Sequence, residues 1–198
     1  MGFFSFDILF IMSKRVLGLD ISTSTIGWGL LEIDEDIKYL DSGYFKPIID
    51  GSIVDRIVNT REKIQEIINK TKPDYIGIED LIKFMPASTA TTVVMLTTFN
   101  RMVCLVCYDY LGVAPELLNV LTIRHSLKFD VLPKKEEMPE LVAKHLKITF
   151  PYQYLTKGKN KGSIKKENYD VADGIAVALA YAFKLTNRIK PKKVKKKK

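Results

Sequence analysis

Four acidic side chains stand at the ends of apolar segments, where the burial of a carboxylate needs a partner. Asp20 follows the apolar run 16–19, and Glu79 ends the short apolar run "YIGIE". Asp170 and Asp173 stand three residues apart at the start of a long segment of small and apolar residues, so a helix there places both on one face. Removing a carboxylate from water costs free energy unless a cation or hydrogen-bond donors compensate for it. The four acids are therefore candidates for one shared binding site.

Divalent cations are the partners that suit such a set of acids. Carboxylates that meet without an interleaved lysine or arginine repel one another and stay ionised together only around cations, and hard oxygen ligands favour Mg²⁺ or Mn²⁺. Two such ions about 4 Å apart activate a water and stabilise the leaving oxygen in phosphodiester cleavage. We expect Asp20 and one acid of the terminal pair to hold the first ion, and Glu79 to help hold the second.

Each acid also has an ordinary structural interpretation. Asp20 could cap the turn "STST" that follows it. Asp170 and Asp173 could simply be acids in the first turn of a helix, where the helix dipole favours negative charge. The metal hypothesis depends on all four acids meeting at one place.

The order of the predicted elements brings the acids to one edge of a sheet. Three strands joined by short polar connections predict an antiparallel meander, and the following alternation of helices and strands predicts a mixed sheet with helices on its faces. In such an α/β sheet, strand ends and a helix start can meet at the edge where ligand sites form. The predicted strands are 15–20, 25–33, 37–45, 74–80 and 117–123, and the predicted helices are 52–72, 87–112, 138–146 and 169–185.

Positive charge is concentrated at the C-terminus. The chain has 198 residues, of which 46% are hydrophobic, and a formal net charge of +8, which suits one domain with a basic tail. Residues 184–198 contain nine of the 31 Lys and Arg residues and no acid, so the other residues have 22 basic and 23 acidic side chains. We expect this tail to be disordered and to follow nucleic-acid phosphates through counterion release. The five lysines of the loop 157–166 are expected to help it grip DNA.

The cysteines and the apolar segments restrict the setting of the protein. Cys104 and Cys107 lie in an apolar stretch, and no other residues complete a zinc site, so we interpret them as core residues of a protein from a reducing compartment. The N-terminal run 1–12 is apolar but too short to span a bilayer. No other stretch is predicted to reach that length, so no membrane partner is expected.

Acidic motifs occur in three stretches, "VLGLDISTSTIGWGLLE", "YIGIED" and "NYDVADGIAVALAYA". They resemble the three motifs of the RuvC-type Holliday-junction resolvases, and the resemblance runs from about residue 15 to 187. It implies an α/β RNase H-like fold, with a mixed five-stranded sheet of antiparallel meander and parallel strands flanked by helices. The implied division of the chain is an N-terminal arm (1–14), an RNase H-like nuclease domain (15–187) and a lysine-rich tail (188–198).

The resemblance also assigns roles to residues. By it, Asp20, Glu79, Asp170 and Asp173 are the metal ligands of an Mg²⁺-dependent crossover junction endodeoxyribonuclease, with two ions per active site, Mn²⁺ as a substitute and no nucleotide cofactor. Lys128, in the stretch "TIRHSLKF", is expected to be a cation near the scissile phosphate that stabilises charge in the transition state. The family acts as a homodimer that places paired symmetric nicks in a four-way DNA junction, and two-fold symmetry suits such a substrate. The long apolar helix over 87–111 is the predicted dimer seam.

The sequence departs from the family pattern after the second motif. Bacterial members of the family typically carry an aromatic residue just after the acid, whereas here Asp80, Leu81 and Ile82 follow Glu79 and Phe84 comes later. The variant motifs and the composition rich in lysine and isoleucine suit a phage or viral member. We expect the protein in the cytoplasm of a bacterial or phage-infected cell, or in the nucleus or a viral factory if the source is eukaryotic or a eukaryotic virus.

Three other functions fit parts of the sequence. The stretch "LDISTST" is also similar to the first phosphate loop of actin-like ATPases and sugar kinases, but Ser22 stands where those proteins have a glycine, and 198 residues leave no room for their second domain. An RNase H-like nuclease that acts on other branched DNA or on RNA–DNA hybrids would use the same acids. A non-catalytic module that binds branched DNA is the third alternative, and the presence of all four acids argues against it.

Overall fold

A computed structural model describes residues 13–81, 89–128 and 131–187 of the chain. The predicted arm up to residue 12, Phe84 and the predicted lysine tail lie outside the described residues. Within them, the predicted α/β fold with a mixed five-stranded sheet flanked by helices is confirmed. The strands are β1 (Lys14–Asp20), β2 (Ile26–Ile33), β3 (Ile37–Phe45), β4 (Tyr75–Glu79) and β5 (Glu116–Leu118), and the helices are α1 (Ile53–Thr71), α2 (Ala90–Leu111), α3 (Val120–Leu127), α4 (Met138–Leu146) and α5 (Glu167–Leu185).

The sheet joins an antiparallel half to a parallel half in the order β3-β2-β1-β4-β5. The meander pairs β3 with β2 and β2 with β1 in antiparallel fashion. β1 and β4 are parallel neighbours, with Leu19 opposite Ile78, and β4 is parallel to β5. The carboxyl ends of the two central parallel strands, Asp20 and Glu79, therefore meet at the same edge of the sheet.

Side-chain alternation directs both of these acids to the same face of the sheet. Leu17 and Leu19 of β1 lie in the core layer beneath α1 and α2, whereas Val16 lies in the opposite layer with α3, α4 and α5. Because successive strand residues alternate between faces, Asp20 lies on the α5 face. The same alternation along β4 places Glu79 on that face.

Glycines bring α5 close to β1 and β2. A Cβ atom on Gly18 would collide with the backbone of Ala178, and one on Gly27 would collide with the carbonyl group of Asp170. On the helix side, a Cβ atom on Gly174 would lie 2.6 Å from the backbone of β2. Small residues on both surfaces thus fix the first turns of α5, with their two acids, against the sheet.

α2 is apolar on more than one side. By length and composition alone it could cross a membrane, so the prediction that no further segment reaches that length is wrong. In the fold, one side of α2 packs into the core through Phe99 and Val103. Cys107 is buried there, as predicted for a core residue, and Cys104 is half-buried.

The predicted strand 117–123 is wrong over most of its length. Sheet pairing stops with β5, and α3 follows after one residue. Asn119 separates the two elements because its side chain accepts a hydrogen bond from the amide of Leu121 (2.8 Å) and caps the helix. The buried apolar residues Ile123 and Leu127 then recur at helical spacing. A short apolar run does not by itself distinguish a strand from a buried helix.

Candidate active site

The four acids predicted from the sequence lie at one edge of the sheet. Asp20 and Glu79 end β1 and β4, while Asp170 and Asp173 lie in the first turns of α5, which begins two residues earlier than predicted. Carboxylate oxygens of Asp20, Asp170 and Asp173 all lie within 4.8 Å of one another. Glu79 is not part of that group of three, but it lies within electrostatic reach of Asp20 and Asp173. We call these four residues the acidic cluster.

Burial and mutual repulsion raise the pKa values of Asp20, Glu79 and Asp173. Desolvation, followed by the charges of Glu79 and Asp173, raises the pKa of Asp20 well above its usual range. Desolvation, with a contribution from Asp173, raises the pKa of Glu79 to about 7, and desolvation raises the pKa of Asp173 to about 6. Because metal ligands must be deprotonated, a cation that binds these carboxylates displaces their protons.

Among the described residues, Lys135 forms the ion pairs with the acidic cluster. Its ammonium group donates a hydrogen bond to Asp170 (2.7 Å) and lies 3.4 Å from Asp173. Burial lowers the pKa of Lys135, but the hydrogen bond to Asp170 and the charges of Asp173 and Asp20 raise it overall. The sequence analysis missed this residue, which lies in a single 3-10 turn between α3 and α4 and carries no local pattern. Only the packing of that turn against α5 reveals it.

Two basic residues of the stretch "TIRHSLKF" have different surroundings. Arg124, in α3, lies within electrostatic reach of the acidic cluster, where its charge lowers the pKa values of Glu79 and Asp173. Lys128 lies at the C-terminal end of α3, where its ammonium group is 3.8 Å from Glu137. A role for Lys128 beside the phosphate stays a prediction.

Asp80, the acid next to Glu79, belongs to a different set of contacts. Its carboxylate accepts a hydrogen bond from the amide of Leu81 (2.9 Å) and lies 3.4 Å from the guanidinium of Arg101 in α2. Strand alternation explains the difference, because the residue after Glu79 is directed to the other face of the sheet. Only the first acid of the "ED" pair thus joins the acidic cluster.

Buried and partly buried polar groups hold the ends of the two strands. Asn100, fully buried in α2, donates a hydrogen bond to the backbone carbonyl oxygen of Glu79 (3.1 Å). After Asp20, the Ser22 hydroxyl accepts a hydrogen bond from the amide of Thr25 (2.9 Å) and donates one to its carbonyl oxygen (2.6 Å). The turn that Asp20 could have capped is therefore closed by Ser22.

The donor set fits a hard divalent cation. Three side chains offer carboxylate oxygens at a mutual spacing that one ion can bridge. Carboxylate ligands without sulfur or imidazole suit Mg²⁺, Mn²⁺ or Ca²⁺ rather than a soft metal. Burial keeps the pKa values of Asp20, Glu79 and Asp173 raised despite the nearby charges of Lys135 and Arg124, so these groups do not fully compensate the ionised carboxylates.

Sequence comparison relates the chain to resolving enzymes. No protein-family model matches it. The chain is 28% identical over 183 residues to the crossover junction endodeoxyribonuclease RuvC of Ehrlichia canis, a match that covers 87% of this chain and 99% of that protein. It is 24% identical over 177 residues to the protein of the same name from Fusobacterium nucleatum, over 88% of this chain and 83% of that one.

Comparison with solved structures gives the fold. The RuvC of T. thermophilus in complex with a Holliday junction substrate matches with a TM-score of 0.66 and 16% identity, over 88% of this chain and 96% of that one. The yeast mitochondrial Holliday junction resolvase Ydc2 matches with a TM-score of 0.62 and 16% identity, over 85% of this chain and 78% of that one. The chain is thus similar in sequence to RuvC-type Holliday-junction resolvases, and it has the RNase H-like fold of the matched structures.

Proposed function

We propose that the chain is a metal-dependent endonuclease that resolves four-way DNA junctions by paired symmetric nicks. The observation that carries the proposal is the convergence of Asp20, Asp170 and Asp173, within 4.8 Å, at the strand-end edge of an RNase H-like sheet. The name of the relatives, crossover junction endodeoxyribonuclease, supports the reaction. The similar T. thermophilus structure, which contains a Holliday junction, supports branched DNA as the partner.

The cofactor is a divalent metal, and we propose Mg²⁺ with Mn²⁺ as a substitute. Two ions per site fit the division of the acidic cluster, with Asp20 and Asp170 or Asp173 for one ion and Glu79 helping with the other. When bound, such ions supply activation of the attacking water and neutralisation of the leaving oxygen.

The protein contributes position and charge to this chemistry. Asp20 and Glu79 continue two paired strands, so their separation is fixed by the sheet. Lys135 holds Asp170 and Asp173 on one side of the site and, together with Arg124, offers positive charge beside a bound phosphate. Preorganised charge of this kind stabilises the negative charge that develops in the transition state.

Cleavage of defined substrates by the full chain tests the proposal. A four-way junction, a flap, an RNA–DNA hybrid and a linear duplex, each end-labelled in turn, are incubated with Mg²⁺, with Mn²⁺ or with EDTA. We expect paired symmetric nicks in the junction alone, and only with a metal ion. Comparable cutting of flaps or hybrids would indicate a broader RNase H-like nuclease. Tight junction binding without cutting in either metal would indicate a binding module.

We also propose that the protein is a homodimer with α2 at its seam. Val94, Arg101, Leu105 and Tyr108 recur at helical spacing on one stripe of α2 and are exposed. Val94 is 63% exposed and Leu105 is 61% exposed, so the stripe presents large apolar side chains to solvent. A second copy of the chain offers the same stripe, as a two-fold interface requires.

Leu105→Glu should convert the protein to a monomer, because a two-fold axis brings two copies of the new charge into one apolar interface. Light scattering or sedimentation should report the chain mass of 22.6 kDa for the variant and twice that for the unmodified protein. Leu121→Glu is the control, since Leu121 is half exposed on α3, away from this stripe. A dimer that survives Leu105→Glu would contradict the proposed seam.

A further inference from the structure

The segment directly before α5 folds as an ordered hairpin, which we call the lysine hairpin (residues 153–166). Its two arms are joined by a bridge between Tyr154 and Ile164 and by a hydrogen bond from the amide of Leu155 to the carbonyl oxygen of Ser163 (2.9 Å). A further bond runs from the amide of Lys165 to the carbonyl oxygen of Gln153 (3.0 Å), and two glycines with positive φ shape the tip. The segment predicted as a polar loop therefore has a defined conformation.

Five lysines concentrate positive charge on this hairpin. No acid occurs between residues 150 and 166, and none of the five lysines forms an ion pair with a carboxylate of the described residues. The next acid in the sequence, Glu167, pairs instead with Lys46 of the loop after β3. The lysines repel one another, so the hairpin is suited to a polyanion that approaches from solvent. They are Lys157, Lys159, Lys161, Lys165 and Lys166.

The buried side chain of Asn168, in the first turn of α5, fixes the lysine hairpin to that helix. The side-chain oxygen of Asn168 accepts a hydrogen bond from the amide of Gln153 (2.8 Å). Its side-chain nitrogen donates to the carbonyl oxygens of Gln153 and Lys165, both at 2.8 Å. Asn168 is 2% exposed, and it lies two residues before Asp170. Both arms of the hairpin are thereby tied to the end of α5 that carries the acidic cluster.

An exposed aromatic side chain accompanies the charge. Tyr154, at the base of the hairpin, is 51% exposed, and its ring lies 6.5 Å from that of Tyr152. Basic side chains with an interleaved aromatic are typical of surfaces that bind nucleic acids. From base to tip the arms span at most about 18 Å, which corresponds to about five base pairs of duplex.

We propose that the lysine hairpin binds the phosphates of a duplex arm of the DNA substrate, and that Asn168 sets the position of this contact relative to the acidic cluster. The inference rests on the proposed function for the identity of the DNA as a junction. The binding is independent of base sequence, because lysine contacts to phosphate carry no sequence information.

The salt dependence of junction binding tests the proposal. The triple variant Lys157→Gln, Lys159→Gln, Lys161→Gln is compared with the unmodified full chain on a labelled four-way junction by fluorescence anisotropy in EDTA. Each lost phosphate contact reduces the magnitude of the slope of log association constant against log salt concentration by about 0.9, so we expect the slope to fall by about 2–3. The affinity for the junction at physiological salt should fall about 10–100-fold. Arginine at the same three positions keeps the charge and should restore both values.

The matched control removes the same charge from a remote surface. Lys63, Lys70 and Lys72 lie on α1 and its C-terminal cap, on the opposite face of the sheet and toward its other edge. Their replacement by Gln should leave the slope within about 0.5 of the unmodified value. An unchanged slope in the hairpin variant would overturn the proposal, and so would an equal fall in both variants. The proposal would also be overturned if the hairpin variant lost binding to a single-stranded RNA while its binding to the junction stayed intact.

Two further measurements keep the test decisive. The single variants at Lys157, Lys159 and Lys161 should each reduce the slope by up to about 0.9, and circular dichroism checks that each is folded. The cleavage assay is separate from the binding assay. An unmodified chain that cuts no DNA, combined with a reduced slope in the hairpin variant, would refute the nuclease and support the hairpin contact. Normal junction cleavage by the unmodified chain, combined with an unaltered slope in the hairpin variant, would support the nuclease and refute the hairpin contact.

Discussion

Asp20→Asn and Asp173→Asn should each reduce junction cleavage by at least about 10³-fold while leaving junction binding nearly unchanged. Both carboxylates belong to the acidic cluster, where an amide offers a neutral and weaker ligand to a cation. A metal ion supplies several kcal/mol of transition-state stabilisation, and each 1.36 kcal/mol corresponds to about tenfold in rate. Single-turnover cleavage of an end-labelled four-way junction measures the rate, and anisotropy in EDTA measures binding.

The neighbouring acids Glu79 and Asp80 provide a matched pair of controls for this prediction. Glu79→Gln should lose cleavage, as the other variants of the acidic cluster do. Asp80→Asn should retain a cleavage rate within about threefold of the unmodified protein, because Asp80 lies beside Arg101 at the other face of the sheet. Retained cleavage in both Asp20→Asn and Asp173→Asn would refute the metal assignment. Loss of cleavage in Asp80→Asn with retained cleavage in Glu79→Gln would mean that Asp80, and not Glu79, is the acid that the reaction needs.

Glu79→Gln should stabilise the metal-free protein, although it removes activity. The pKa of Glu79 is raised from 4.5 to about 7, so the ionised carboxylate is less stable in the folded protein than in the unfolded chain. A shift of this size corresponds to at most about 3 kcal/mol in the free energy of unfolding. Urea unfolding in EDTA at pH 8 should therefore show a higher midpoint for the variant than for the unmodified protein.

The pH dependence of this gain follows from the direction of the shift. The folded state binds the Glu79 proton more tightly than the unfolded state, so the destabilisation is present in full above about pH 7 and disappears as the pH falls below 4.5. The advantage of Glu79→Gln should shrink over the same range. Mg²⁺ should also reverse the order at pH 8, because an ion that binds the folded state alone stabilises the protein with the intact ligand set more.

Two results would contradict this account of stability. A Glu79→Gln protein that is less stable than the unmodified protein in EDTA at pH 8 would mean that the carboxylate makes favourable contacts. An advantage that persists unchanged at pH 4 would mean that it comes from packing and not from charge. At pH 8, Asp80→Asn should change the free energy of unfolding by less than about 1 kcal/mol, since it removes only a partly exposed ion pair with Arg101.

The sequence predicted the fold with few errors because the fold depends on local patterns, and the four acids lie at one edge of the sheet as expected. The apolar run in 15–20, the short polar connections of the meander and the helical spacing in 52–72 predict elements that the structure contains at nearly the same bounds. The strand 117–123 failed, since a single capping residue, Asn119, converts its apolar run into a helix. A short apolar run does not by itself distinguish a β-strand from a buried α-helix.

The sequence by itself identified the candidate residues of the site, because Asp20, Glu79, Asp170 and Asp173 each end or begin an apolar element. Only the tertiary structure decided what surrounds them. Lys135 meets Asp170 across 35 residues and Asn168 holds Gln153 across 15, while Asp80 is separated from the acidic cluster by one step of strand alternation. These contacts join segments whose local patterns are unrelated, and they arise when the glycines of β1 and β2 allow α5 to pack closely against the sheet. Residue type and position in the sequence therefore identified the candidate acids, and tertiary packing determined which basic residues lie near them.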